Sequence, residues 1–241
     1  MKFLDIESPL ITFLSRMADL MWLTILTMIC CIPIITIGAS LTAMHYVALK
    51  MVRNEECYIT KSYFKAFKTN FLQATVIWLI FAAIFVFLFL DYRIFRMAAM
   101  EANMVVQFLF CTVLSFTVFT FTYVWPVLAK FDNTIRKTIT NAFIISVNQF
   151  FKTLIMIALN ITPFLLWYFA ELTIRPIMPI LFVFWLSVPA YLSAKMYDKF
   201  FQAMEDKILA EQVQDTDDTE EDERIFKDEA DPALNIGQHD Q

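Results

Sequence analysis

Apolar residues along this chain gather into five blocks that contain no charged residue: Leu20–Leu49, Phe71–Leu90, Ala102–Ala129, Thr153–Ala170 and Pro176–Ala194. A helix rises about 1.5 Å per residue, so each block can cross a hydrocarbon core of roughly 30 Å, the last two only just. A charge at mid-membrane costs about 2.5–3.5 kcal/mol on insertion scales, which places Asp91, Arg93, Glu101, Lys152, Glu171, Arg175 and Lys195 at block edges. The pattern predicts an all-α, polytopic membrane bundle of about five transmembrane helices, near 20–38, 71–90, 103–126, 153–170 and 176–194, with amphipathic helices on the inner face. The first block has 30 residues, more than the roughly 20 that one crossing needs. A break belongs near Pro33, which lacks a backbone donor, and Gly38, the only glycine before Gly237. The expectation is a membrane helix to about Pro33, a bend, and a second short helix from Ser40 to about Arg53.

Outside the blocks the pattern changes. Residues 1–19 mix apolar and charged groups and predict an interfacial helix starting near Ser8-Pro9. Between the first two blocks, Ile59, Tyr63, Phe64, Phe67 and Phe71 fall on one helical arc and Lys61, Lys65 and Lys68 on the other. Such a helix suits an anionic leaflet or a protein neighbour equally, and it should run on into the second span. An offset of 80 residues aligns Lys50 with Lys130, Ile59-Thr60 with Ile139-Thr140 and Phe71 with Phe151, a faint parallel repeat.

Charge sets the expected orientation. The loops assigned to one side hold Lys50, Arg53, Lys61, Lys65 and Lys68, then Lys130, Arg136, Lys137 and Lys152, then Lys195, Lys199 and Lys207. The other side holds only Lys2, Arg16, Arg93, Arg96 and Arg175. Positive loops stay in the cytoplasm, so the N-terminus is expected outside and the C-terminus inside the plasma membrane. The overall charge of −5 hides two regimes: residues 205–241 carry 14 acidic and 3 basic groups, the remainder 10 acidic and 16 basic. Hence two regions are expected, a membrane domain over 1–204 and an acidic, disordered cytoplasmic tail over 205–241. A composition that is 59% hydrophobic, with 26 Phe, exceeds the roughly 45–50% of soluble domains and supports the membrane reading.

Candidate chemistry is sparse. Two glycines exclude the glycine-rich nucleotide loops and the nucleophile elbow. Two histidines, His45 and His239, exclude a helical two-histidine zinc motif. Cys30, Cys31, Cys57 and Cys111 form no C-x-x-C pair and imply no disulfide framework. His45 lies within an uncharged run and is a candidate site residue, set against a simple interfacial or hydrogen-bonding role. The neutral polar groups of the spans, among them Thr24, Thr36, Thr120, Thr122, Asn160 and Thr162, suit helix–helix bonds or carbonyls freed by proline. No catalytic residue, metal ligand or cofactor is expected.

The segment Pro33-Ile-Ile-Thr-Ile-Gly-Ala-Ser-Leu-Thr-Ala-Met-His-Tyr, with Leu49–Glu56 and Phe64–Thr75 after it, resembles the YesL family of bacterial membrane proteins. Trp125–Phe131 and Asn141-Ala142-Phe143 resemble that family's second half, and Cys57 stands where glycine would be expected. The resemblance marks Pro33, Thr36, Gly38, Ser40, Thr42 and His45 as a signature and implies a domain of unknown function associated with carbohydrate uptake. The expected role is a non-enzymatic accessory protein whose partners are the lipid bilayer and a sugar transporter subunit or sensor kinase, met through Lys50, Arg53, Lys61, Lys65 and Lys68. Nucleic acid is not among them. The alternative is a small permease gated at the Pro33–Gly38 break.

Overall fold

A computed structural model describes residues 9–55, 58–97, 104–169 and 186–230. Among these residues the chain is helical and without strands: α1 (Pro9–Cys31), a 3₁₀ turn (Ile34–Thr36), α2 (Ile37–Val52), α3 (Ile59–Met97), α4 (Met104–Lys130), α5 (Ile135–Asn148), α6 (Phe150–Phe169) and α7 (Ser187–Ala230). The all-α reading holds. Four helices are long and apolar enough to cross a membrane, Ile11–Cys31, Ile34–Val52, Ile59–Ile94 and Met104–Lys130, and a bent pair, α5 with α6, makes up to five.

Exposure follows the same logic. Leu72, Phe87 and Phe108 are 79%, 65% and 74% exposed on α3 and α4, as suits helix faces that meet an apolar solvent. The core is built around α2, whose Gly38, Ala39, Ser40, Thr42, Ala43, Met44, Val47, Ala48, Leu49 and Met51 are buried. Helix α2 packs chiefly against α3, then α4 and α1. Helix α3 carries a buried stripe at helical spacing, Tyr63, Ala66, Ala74, Ile77 and Phe81, of which Ala74 abuts Gly38 of α2. An aromatic ladder joins α3 to α4: Phe121 packs its ring 5.4 Å from Phe81, 5.5 Å from Phe85 and 5.4 Å from Trp125.

The break falls where proline predicts. Helix α1 stops at Cys31 because the residue before a proline is pushed out of the helical region. Helix α2 then begins at Ile37, three residues before the expected Ser40, and ends with Asn54 in the left-handed region, φ 53°. The course of the chain differs from the expectation. Arg16, near the start of α1, donates to the Met51 carbonyl and to Asn54 Oδ1 at the end of α2. Helices α1 and α2 are therefore the arms of a hairpin, and Arg16 does not sit across a membrane from Lys50 and Arg53. The separate interfacial helix expected over 1–19 is instead the first part of α1, from Pro9 onward; residues 1–8 lie outside the described residues.

Further along, α3 is one uninterrupted helix of 39 residues, so the amphipathic segment does run straight into the span. The repeat fails in shape, because its counterpart α5–α6 breaks at Gln149 and bends by 102°. Thr153 holds that bend by donating to the Ser146 carbonyl, 2.8 Å. Residues 176–185 of the fifth block lie outside the described residues, and its remainder from Ser187 opens α7.

The chain divides into two compact units, Met1–Met196 and Tyr197–Gln241. In the second, Tyr197 and Phe201 are buried with ring centroids 4.7 Å apart. Helix α7 continues through the acidic residues as far as Ala230, where composition predicts disorder; Glu, Asp, Gln, Lys and Ala dominate there, and most of these lose little in a helix. Residues 231–241 lie outside the described residues.

Candidate functional site

The signature residues separate into two groups in space. Thr36, Gly38 and Thr42 serve the break itself. The Thr36 hydroxyl lies 2.6 Å from the Cys30 carbonyl oxygen and 2.8 Å from that of Pro33, and its N–H donates to Pro33 O at 3.0 Å. Cys30 O is a carbonyl that the end of α1 leaves open, and Thr36 closes it. Gly38 allows backbone contact: a Cβ there would stand 2.5 Å from the Ala74 carbonyl oxygen and 2.8 Å from Trp78 Cβ. Thr42 donates back to Gly38 O at 2.9 Å, and Ser40 is buried with its carbonyl 3.5 Å from the Tyr63 hydroxyl. Pro33 is exposed at the turn.

Of the six, His45 lines a cavity. The cavity, about 230 Å³, lies between α2, α4, α6 and the start of α7. Leu41, Met44, Val118, Phe121, Met156, Ile157, Ile161, Leu186 and Ala190 make its apolar wall. His45, Thr122, Trp125, Asn160 and Ser193 supply its polar groups. Asn160 Nδ2 donates to Met156 O at 2.8 Å and Thr122 to Val118 O at 2.9 Å. The Trp125 indole N–H and the Ser193 hydroxyl are buried and find no hydrogen-bond partner among the described residues. Among the described residues no carboxylate, lysine or arginine lines the space. It offers donors and aromatic faces to a small neutral molecule or to water, and no acid–base pair.

Sequence reasoning named His45, Asn160 and Thr120 as groups that could gather in a polar pocket; His45 and Asn160 do line one cavity, and Trp125 and Ser193 were missed. Thr120, considered beside them, instead donates to Phe116 O at 2.8 Å. The same back-bond to the carbonyl four residues earlier occupies Thr27, Thr112, Ser115, Thr117 and Thr162. Most hydroxyls in the apolar blocks are thus hidden within their own helix. Some side chains do bond across helices: the Thr24 and Ser187 hydroxyls lie 2.8 Å apart and are buried, and the Trp22 indole N–H donates to the Thr60 hydroxyl at 2.9 Å.

The basic residues also separate. Lys50 pairs with Glu55 at 3.6 Å and lies 5.3 Å from the centroid of the Tyr46 ring, while Arg53 ends α2 with its N–H on Leu49 O, 3.1 Å. Lys61, Lys65 and Lys68 are exposed along one edge of α3, as the helical arc predicts, and Tyr63 is buried on the opposite side. Phe64 is 40% exposed and, with Tyr58, Ile59, Thr60 and Lys61, lines an open surface depression. Cys30, Cys31 and Cys111 are free thiols, and Cys57 lies outside the described residues. Among the described residues no three His, Cys, Asp or Glu side chains converge as a metal site would require.

Residues 17–92 match the family described as "Protein of unknown function, DUF624". The match spans 76 of the 241 residues, from within α1 through the hairpin to the far part of α3, so it covers the break, the lysine edge and the first long span. No curated protein and no solved structure matches the chain.

Proposed function

We propose that this chain is a multi-pass protein of the plasma membrane that acts as a non-enzymatic accessory to carbohydrate uptake or utilisation. The observation that carries the reading is the exposed row Lys61, Lys65 and Lys68 on α3, a basic edge on a helix that continues into a span. The charge rule assigns such an edge to the cytoplasm, where it meets an acidic surface of a sugar transporter subunit or sensor kinase. The carbohydrate link rests on the resemblance to the YesL family, to which the match over 17–92 adds only a domain of unknown function. Affinity capture of the intact complex from native membranes tests it. The expected result is one transporter or kinase partner recovered with the native chain and lost with K61E/K65E/K68E. Crosslinking from Lys61 and Lys65 that recovers only lipid overturns it.

A second reading, a small permease, is favoured by the meeting of His45 and Asn160 in the α2–α4–α6 cavity. It does not need the gate at Pro33–Gly38, whose carbonyls and backbone are tied by Thr36 and by α3. Sugar flux in reconstituted vesicles that falls with H45A or N160L supports it; no flux sinks it.

A further inference from the structure

Helices α1 and α2 are each long and apolar enough to cross a membrane. Position relative to α3 decides otherwise. Between Lys68 and Asp91, α3 carries 22 uncharged residues, about 33 Å at 1.5 Å per residue, close to the thickness of a hydrocarbon core. That stretch is a depth ruler. Gly38, at the head of α2, abuts Ala74, six residues or about 9 Å inside the lysine edge. From Ala74 the ruler runs on another 16 residues to Leu90, about 24 Å. Ile37 and the 3₁₀ turn above Gly38 add about 8 Å. The tip of the hairpin therefore stops far short of the other face.

Its chemistry matches that depth. Ile32, Ile34 and Ile35 project from the tip, 77%, 72% and 57% exposed. Irregular backbone in lipid must satisfy its own polar groups. This turn does so through Thr36 on Cys30 O and Pro33 O, and through Ile32 N–H on Ile29 O at 3.3 Å. The base of the hairpin is charged, with Arg16 capping the end of α2 and Lys50 paired to Glu55.

From these relations we infer that α1 and α2 form a re-entrant hairpin. It enters and leaves the bilayer on the face that carries Lys61, Lys65 and Lys68, and seats Ile32, Ile34 and Ile35 in the acyl region of that one leaflet. The inference is independent of any carbohydrate link. Arg16 then joins the basic face instead of opposing it, which sharpens the charge asymmetry across the membrane.

Single cysteines in an otherwise cysteine-free full-length chain test it. Ser15→Cys, Asn54→Cys, Ile34→Cys and Ile94→Cys are exposed to a membrane-impermeant maleimide before and after cells are opened. The expected result is that Ser15→Cys and Asn54→Cys label only after opening, Ile94→Cys labels from outside, and Ile34→Cys labels from neither side. A nitroxide on Ile34→Cys should show high oxygen and low nickel-chelate accessibility, at a depth within the leaflet on the Asn54 side. Three results overturn the inference: Ile34→Cys labelling with Ile94→Cys, which means two full crossings; Ser15→Cys and Asn54→Cys labelling from opposite sides; or Ile34→Cys labelling in water on the Asn54 side. Should removal of the cysteines abolish expression, protease sites inserted at Ser15 and after Asn54 of the native chain give the same decision by being cut from one side or from two.

Discussion

Gly38 lies so close to α3 that a methyl group on it would meet the Ala74 carbonyl oxygen at 2.5 Å. The partner is backbone, which cannot rotate away, so the two helices must separate for any larger residue to fit. Gly38→Ala should destabilise the protein by about 1–3 kcal/mol, the usual range for overpacking. Thermal unfolding in detergent reads this as a lowered Tm, and Ala74→Gly should not restore it, because the clash is with the carbonyl. An unchanged Tm in Gly38→Ala would show that the contact is loose.

Thr36 ties the end of α1 to the turn. Thr36→Val keeps shape and branching but leaves the Cys30 carbonyl without its hydroxyl, at a cost of about 1–3 kcal/mol for a group removed from water. Thr36→Ser should retain most of the stability. Chemical denaturation of the two variants side by side checks the ranking, and equal losses would refute a role for the hydroxyl.

Thr24 and Ser187 join α1 to the start of α7 across 163 positions of sequence. Hydrogen bonds between membrane helices average about 0.6 kcal/mol in double-mutant cycles, with a maximum near 1.7. A cycle of Thr24→Val with Ser187→Ala should return a coupling in that range. A coupling of zero would mean that the pair merely coexists.

The indole N–H of Trp125 has no hydrogen-bond partner among the described residues, so none of them gains from it by hydrogen bonding. Trp125→Phe should therefore be neutral or cost no more than about 1.5 kcal/mol from lost volume. Should the cavity hold a bound molecule in native membranes, the same variant loses it, which mass spectrometry of the purified protein detects. A large destabilisation with no bound molecule would reveal a structural partner for the indole.

Lys61, Lys65 and Lys68 are exposed and so are expected to matter for docking and little for folding. Replacing all three by glutamate should change Tm by no more than a few degrees, since exposed charges contribute about 0–1 kcal/mol each. Circular dichroism melts of the purified variant give the answer, and cooperative unfolding at markedly lower temperature would assign the lysines to the fold.

Much of this molecule is written locally. The lengths of the apolar blocks and the charges at their edges fixed which segments are long helices. Pro33 fixed the end of α1, and the spacing of Tyr63, Lys61, Lys65 and Lys68 fixed which side of α3 is buried. These are short-range consequences of proline geometry, helical periodicity and the cost of charge in lipid. What only the tertiary structure decided is how those helices meet: that α2 folds back so that Arg16 reaches Met51 and Asn54, that Gly38 lies against Ala74, and that His45, Trp125, Asn160 and Ser193 share one cavity. A helix that is apolar on every side carries no stripe to name its neighbour. The neighbour is chosen instead by backbone closeness and by which buried polar groups can be paired, and both are properties of residues far apart in the chain.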